Sequence, residues 1–497
     1  MPTHLSDTEL SDPRLLLNTL HRLRQAILDE GMATYARWRP TIDRPPFRIS
    51  ALNLAYYLAL RGRDLRPIQT ALMPWGLSSL GRIESRVMPN LDAVIATLSD
   101  IAGDGSAAHP RLSLFFRGER LLRRQTEEVF GPPPPNRRGH IMVTMPSEAA
   151  ADYSLVRDLL ARGMNVMRIN CAHDGPDAWA AMIENLRRAE AETRRRARVA
   201  MDLGGPKIRT TQVLAPDGER LKVGDRFRLT CDKPQADKHF PFQTSCTLPE
   251  ICRQVKVGAA VWVDDGKLGA QVEAIHPEGL TLRVTHARLK GEWLRPEKGL
   301  NFPDTDLSLP ALTDKDLQDL DFVAKHANIV HYSFVQEVED IVMLQRALAE
   351  RMTRLDRIAL VAKIETQRAV RNLPELIVQA AGKQPFGVMI ARGDLAVEIG
   401  YQRLAEMQEQ ILWLCEAAHV PVIWATQVLE QLVKKGRPSR AEMTDAAMAE
   451  RAECVMLNKG PYIREAVTIL DDVLQRMQAH QSKKTAQLRA LRSWQSM

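Results

Sequence analysis

Two apolar runs end on side chains that could do chemistry. Arg357-Ile-Ala-Leu-Val-Ala-Lys-Ile-Glu365 delivers Lys363 and Glu365, and Phe386-Gly-Val-Met-Ile-Ala-Arg-Gly-Asp394 delivers Asp394. Alternate side chains of a strand share a face, so Lys363 and Glu365 should project together, while Gly393 admits backbone or ligand beside Asp394. A cation with two acids is a residue set suited to a divalent metal holding an anionic substrate. An exposed ion pair closing a buried strand is the alternative that these residues alone leave open.

Such side chains need a scaffold. From residue 10 to about 124 the pattern is helical, with amphipathic stretches at 15–29, 51–65 and 90–101. Gly131-Pro-Pro-Pro-Pro135 cannot continue a helix and reads as a stiff linker. Beyond it short apolar strands alternate with helices: strands at 140–145, 165–169 and 198–202, then again at 328–332, 358–364, 386–391, 420–425 and 453–457. Between the two groups lies a β-rich insert with turns at Pro216-Asp-Gly218, Val263-Asp-Asp-Gly266 and His276-Pro-Glu-Gly279. Eight strand-helix units predict an α/β fold, a TIM barrel with its chemistry at the strand C-terminal ends. The expected division is a helical domain with linker at 1–135, the barrel at 136–211 and 300–482, the inserted β lid at 212–299, and a polar tail at 483–497.

Composition narrows the function. The chain has 497 residues, 45% of them hydrophobic, enough for a substantial core. No stretch approaches roughly 18 uncharged apolar residues, and the N-terminus lacks a signal-peptide pattern, so a cytoplasmic protein without membrane contact is expected. The six cysteines show no CxxC pair, which argues against a zinc cluster or a disulfide framework. The net charge of +7 is spread among acids without interleaved aromatics, so nucleic acid is not the expected partner. Of the 68 basic residues 51 are Arg, and the first lysine is Lys207, which singles out each Lys for attention.

Several ordered motifs resemble those of pyruvate kinases, from about residue 140 to 480. They are Gly163-Met-Asn-Val-Met-Arg-Ile-Asn-Cys-Ala-His173, Met201-Asp-Leu-Gly-Gly-Pro-Lys-Ile-Arg-Thr210, Val263-Asp-Asp-Gly266 in the insert, Ala362-Lys-Ile-Glu365, Ala391-Arg-Gly-Asp-Leu395, Ala425-Thr-Gln-Val-Leu-Glu430 and Arg437-Pro-Ser-Arg-Ala-Glu442. Their order, with the insert in place, carries the resemblance. It implies conversion of phosphoenolpyruvate and ADP to pyruvate and ATP, as in glycolysis. It implies Mg²⁺ or Mn²⁺ on Glu365 and Asp394, and Lys363 and Arg168 on the phosphoryl group. Thr426 would stand near the carbon that takes the proton, although by itself it reads as a plain β-former in a strand. Gly393, Asp394 and Thr426 would contact the substrate, and Asn170, His173 and Arg209 the nucleotide phosphates. A homo-oligomer is also implied.

The departures are as informative. A monovalent-cation site in the common pattern uses Asn, Ser and Asp, with Thr after the Asp and Glu between Gly-Pro and Ile-Arg. Here Asn170 and Asp202 remain, but Ala172, Leu203 and Lys207 replace the other three, which resembles the potassium-independent branch. The Lys207 ammonium is therefore expected to stand in for K⁺, and no K⁺ requirement is expected. The loops Met145-Pro-Ser147 and Asn458-Lys-Gly-Pro-Tyr462 also depart from the family pattern. The family's C-terminal domain and its effector site are expected to be missing, with the N-terminal helices present instead. Those helices could pack on the barrel, dimerise or bind a regulator, and packing is favoured for an apolar stripe. Two other functions stay open: a metal-dependent pyruvate or oxaloacetate lyase or aldolase, and a weakly active regulatory relative.

Overall fold

A computed structural model describes residues 12–487 apart from 78, 306 and 308. The N-terminal region is helical, as its periodicity predicts. Its first helix, Pro13–Trp38, starts where the Asp12 side chain accepts the Arg14 N–H at 2.8 Å with Pro13 in the first turn. Leu16, Leu20, Leu23 and Ile27 bury one face of it against Arg48–Arg61 and Val87–Ile101.

The domain packs on the barrel through buried polar anchors. Asn53 donates to the carbonyls of Glu84 and Ala417 at 2.7 and 2.8 Å, and its own oxygen accepts the Val87 N–H. His419 lies 2.9 Å from both Ser50 Oγ and the Ser85 carbonyl. Gly118 opens the helix Arg117–Phe130 to this contact, because a Cβ there would fall 1.8 Å from the Ser85 oxygen. The same helix ends in Val129 and Phe130, which plug the bottom of the barrel against Met142, Val166 and Ile329.

Eight parallel strands close the barrel: β1 His140–Thr144, β2 Val166–Asn170, β3 Arg198–Asp202 and, after the insert, β11 Ile329–Tyr332, β12 Ala359–Ile364, β13 Phe386–Ala391, β14 Val422–Ala425 and β15 Cys454–Leu457. The order around it is β1, β15, β14, β13, β12, β11, β3, β2. Interior positions near the bottom are small or apolar, such as Ala200, Ala359, Val361 and Ile423. Two residues further along β3 and β12 the inward positions become Asp202 and Lys363, which puts polar chemistry at the C-terminal mouth.

Between β3 and β11 the lid forms one sheet of β4 Thr210–Leu214, β5 Arg226–Thr230, β6 Gln243–Cys246, β7 Ala260–Val263, β8 Leu268–His276, β9 Gly279–His286 and β10 Leu300–Asn301, in the order β10, β7, β8, β9, β5, β6, β4. It has its own core around Phe227, Leu229, Val261, Leu280 and Leu282. In the stretch read as a polar tail, residues 483–486 belong to a hairpin of Gln481–Ser482 with Thr485–Ala486, anchored by Lys483 on Glu453 and Lys484 on Glu84. The remainder, 488–497, lies outside the described residues. No helix among the described residues is long and apolar enough to cross a membrane.

Candidate active site

Charge alternates across the barrel mouth. Arg168 of β2 donates from Nη1 to Thr144 Oγ1 at 2.9 Å and pairs through Nη2 with Asp202 Oδ2 at the end of β3. The other Asp202 oxygen lies 3.7 Å from Lys363 Nζ, which donates to Ser333 Oγ at 2.8 Å and pairs with Glu365 Oε1 at 3.0 Å. Glu365 Oε2 accepts the Phe334 N–H at 2.7 Å. Lys363 and Glu365 thus share a face as strand alternation requires.

Burial raises the stakes of each pairing. It acts to raise the Asp202 carboxyl, but Arg168 and Lys363 outweigh it and hold the group below its ordinary value. For Lys363 burial acts downward, and the charges of Asp202 and Glu365 overcome it, so the ammonium is held above its ordinary value.

Asp394 arrives by another route than expected. β13 stops at Ala391, and Asp394 sits in the first turn of the helix Arg392–Ile399, where the helix dipole favours a carboxylate. Lys207 Nζ meets both its oxygens, at 2.9 and 3.2 Å, and lies 3.8 Å from Asp265 of the lid turn. Burial works to raise Asp394, while Lys207 lowers it and wins. Glu365 is raised instead, by burial and by the neighbouring Asp394 charge. The two neighbouring carboxylates are hard oxygen donors that suit a divalent cation in place of the ammonium groups of Lys207 and Lys363 that hold them here, and near them the buried Asn301 Oδ1 has no hydrogen-bond partner among the described residues. Among the described residues no group of three or more His, Cys, Asp or Glu stands in metal-holding geometry.

Thr426 follows β14 with φ of 64°, and Gln427 and Leu429 are also left-handed. A β-branched residue there is strained, and the surroundings must hold it. Its Oγ1 accepts the Gly393 N–H at 3.1 Å. Arg392, 6% exposed, clamps the turn by donating from Nε to the Ala425 carbonyl at 2.9 Å and from Nη2 to the Thr426 carbonyl at 2.5 Å, with Asp445 as counter-charge.

The remaining candidates sit around this centre. Asn170 Oδ1 accepts the Ala172 N–H at 3.1 Å within its own loop. His173 is exposed, in the field of Lys459, Arg209 and Arg168, and partial desolvation with the Lys459 charge lowers its ring. Arg209 donates to the Glu297 carbonyl at 3.3 Å, where the chain enters the lid. Leu203 is buried, with its N–H on the His331 carbonyl. Among the described residues the hydrogen bonds and ion pairs of Lys207 run to Asp394 and Asp265, with none to Asn170 or Asp202. Sequence reading missed Ser333, His331, Asn301 and Arg392. Ser333 was within reach, because it directly follows β11 on the catalytic rim.

Fold and mouth together define a (β/α)₈ barrel with an inserted lid and a buried, charge-paired centre. The family model "Pyruvate kinase, barrel domain" matches residues 136–467, and the chain belongs to the pyruvate kinase family. It is 32% identical over 334 residues to pyruvate kinase PKLR of Rattus norvegicus, covering 64% of this chain and 56% of the rat protein. Pyruvate kinases of Clostridium acetobutylicum and Leishmania mexicana are each 31% identical, over 67% and 70% of this chain and 69% and 68% of theirs. The chain therefore spans little more than half the length of the rat relative.

Proposed function

We propose that this chain transfers the phosphoryl group of phosphoenolpyruvate to ADP and then protonates the enolpyruvate, giving pyruvate and ATP. The observation that carries this reading is the buried sequence Arg168, Asp202, Lys363, Glu365 at the mouth of a barrel of this family. In the transfer, the bond between phosphorus and the enol oxygen breaks as one forms to a β-phosphate oxygen of ADP. Catalysis of this kind is positioning and charge neutralisation. Arg168 and Lys363 bring fixed positive charge to the moving phosphoryl group, and Asp202 and Glu365 hold them in place.

Glu365 and Asp394 would hold Mg²⁺ or Mn²⁺, which when bound would neutralise phosphate and enolate oxygens. Gly393 leaves room beside Asp394 for the substrate carboxylate, since a Cβ would meet only Thr426 Oγ1, at 3.9 Å. Thr426 would pass a proton to the methylene carbon, directly or through water. Asn170, His173 and Arg209 would face the nucleotide phosphates. Lys207 supplies a fixed positive charge that makes K⁺ unnecessary. The reading includes a cytoplasmic homo-oligomer, in keeping with the family.

ADP-dependent pyruvate formation tests it, with and without Mg²⁺ and beside Lys363→Met. The substitution should lower kcat by at least about a hundredfold, the scale of losing one transition-state charge donor. Folded wild type that makes no ADP-dependent pyruvate would overturn the reading, and pyruvate released from oxaloacetate would favour a lyase.

A further inference from the structure

His331 is a fully buried imidazole that none of the family motifs contains. It lies in β11, in register with Asp202 on one side and Val361 on the other, one inward position below Lys363. Among the described residues neither ring nitrogen has a hydrogen-bond partner, and neither does Asp202 Oδ1 or Arg168 Nε. Buried polar atoms without partners are costly and rare, and here several of them converge on one small region. His331 Nδ1 is 3.8 Å from Asp202 Oδ1, the same oxygen that stands 3.7 Å from Lys363 Nζ.

We propose that His331 is a positioning residue for phosphoryl transfer: its Nδ1–H donates to Asp202 Oδ1 and fixes the rotamer in which this carboxylate serves both Arg168 and Lys363. At 3.8 Å the pair is longer than a hydrogen bond, and the ring must move by about 1 Å toward Asp202 to make one. A neutral ring suits the place. Burial presses the imidazole down to about 3, Asp202 offsets only part of this, and Arg168 and Lys363 add to it. A neutral imidazole carries one N–H, and the nearby carboxylate selects which nitrogen bears it. An apolar side chain of similar size would fill the same volume, but would leave Asp202 free to turn.

The kinetic arm of the test rests on the phosphotransfer reading, while the spectroscopic arm does not. Nitrogen NMR of ¹⁵N-histidine-labelled protein, with the His331 signal assigned by its loss in His331→Asn, should show the neutral Nδ1–H form near pH 7. That signal should move in Asp202→Asn. In turnover assays His331→Phe should lower kcat by about ten- to a hundredfold, with the KM for ADP unchanged and no fall in melting temperature. His331→Asn, which keeps an N–H donor, should recover to within about threefold of wild type. An Nε2–H ring, or full activity in His331→Phe, overturns the proposal. A wild-type chain without activity overturns the proposed function, and the nitrogen spectrum then decides alone whether His331 serves Asp202.

Discussion

At the residue scale, two side chains separate the proposed half-reactions. Thr426 is held in a left-handed turn by Arg392, with its hydroxyl oxygen on the Gly393 N–H. Thr426→Ala should leave phosphoenolpyruvate binding near normal while slowing proton delivery by about 10²- to 10⁴-fold, the range for a lost general acid. Exchange of the pyruvate methyl protons with D₂O, followed by proton NMR, reads that step directly, and Thr426→Ser should restore most of it. Lys207 gives the second test. With K⁺ replaced by a tetraalkylammonium salt, turnover should stay within about twofold, because the protein carries its own ammonium on Asp394. A large fall in rate would remove Lys207 from this role.

At the element scale, the junction of the N-terminal helices with the barrel depends on a neutral histidine. Burial pushes His419 down to about 4 from 6.5, against the upward pull of its bond to the Ser85 carbonyl. As pH falls, the unfolded chain binds this proton first, so the contribution of His419 is complete above 6.5 and is lost as pH falls through 4. The stability gap between wild type and His419→Asn, measured by urea unfolding, should therefore narrow towards pH 4 by as much as about 3 kcal/mol. A gap independent of pH would mean that the ring is protonated in the fold as readily as outside it. The expectation that the helical stripe around Asn53 packs on the barrel agrees with its bond to the Ala417 carbonyl.

On the scale of the whole molecule, the helical domain and the barrel share one continuous core, running from Leu16 through Leu54 and Leu360 to Leu474. The lid has a separate core and meets the barrel at points such as Lys207 with Asp265. Units that share a core unfold together, and one that does not can open alone. Hydrogen exchange read by mass spectrometry should thus find lid peptides around β5, β8 and β9 opening at lower free energy than peptides of the helical domain and barrel, which should exchange as one unit. Equal protection of lid and barrel would show that the lid contacts are stronger than this division of cores implies.

The sequence by itself determined the eight strand-helix units, the insert and the pairing of Lys363 with Glu365, because hydrophobic period and strand alternation are local properties. It also marked Asn170, Asp202, Asp394 and Thr426 as residues of one rim, and the resemblance added Arg168. It did not show that Asp394 enters from a helix, since the apolar run of β13 and the turn that follows it are continuous in composition. Only the tertiary structure set Lys207 on Asp394 across 187 positions, put Ser333 on Lys363, and placed His331 under Asp202. Those contacts join side chains from different strands, from the segments that follow β3 and β11, and from the helix Arg392–Ile399. Closure of the barrel decides which of them meet, and no local pattern encodes that distance.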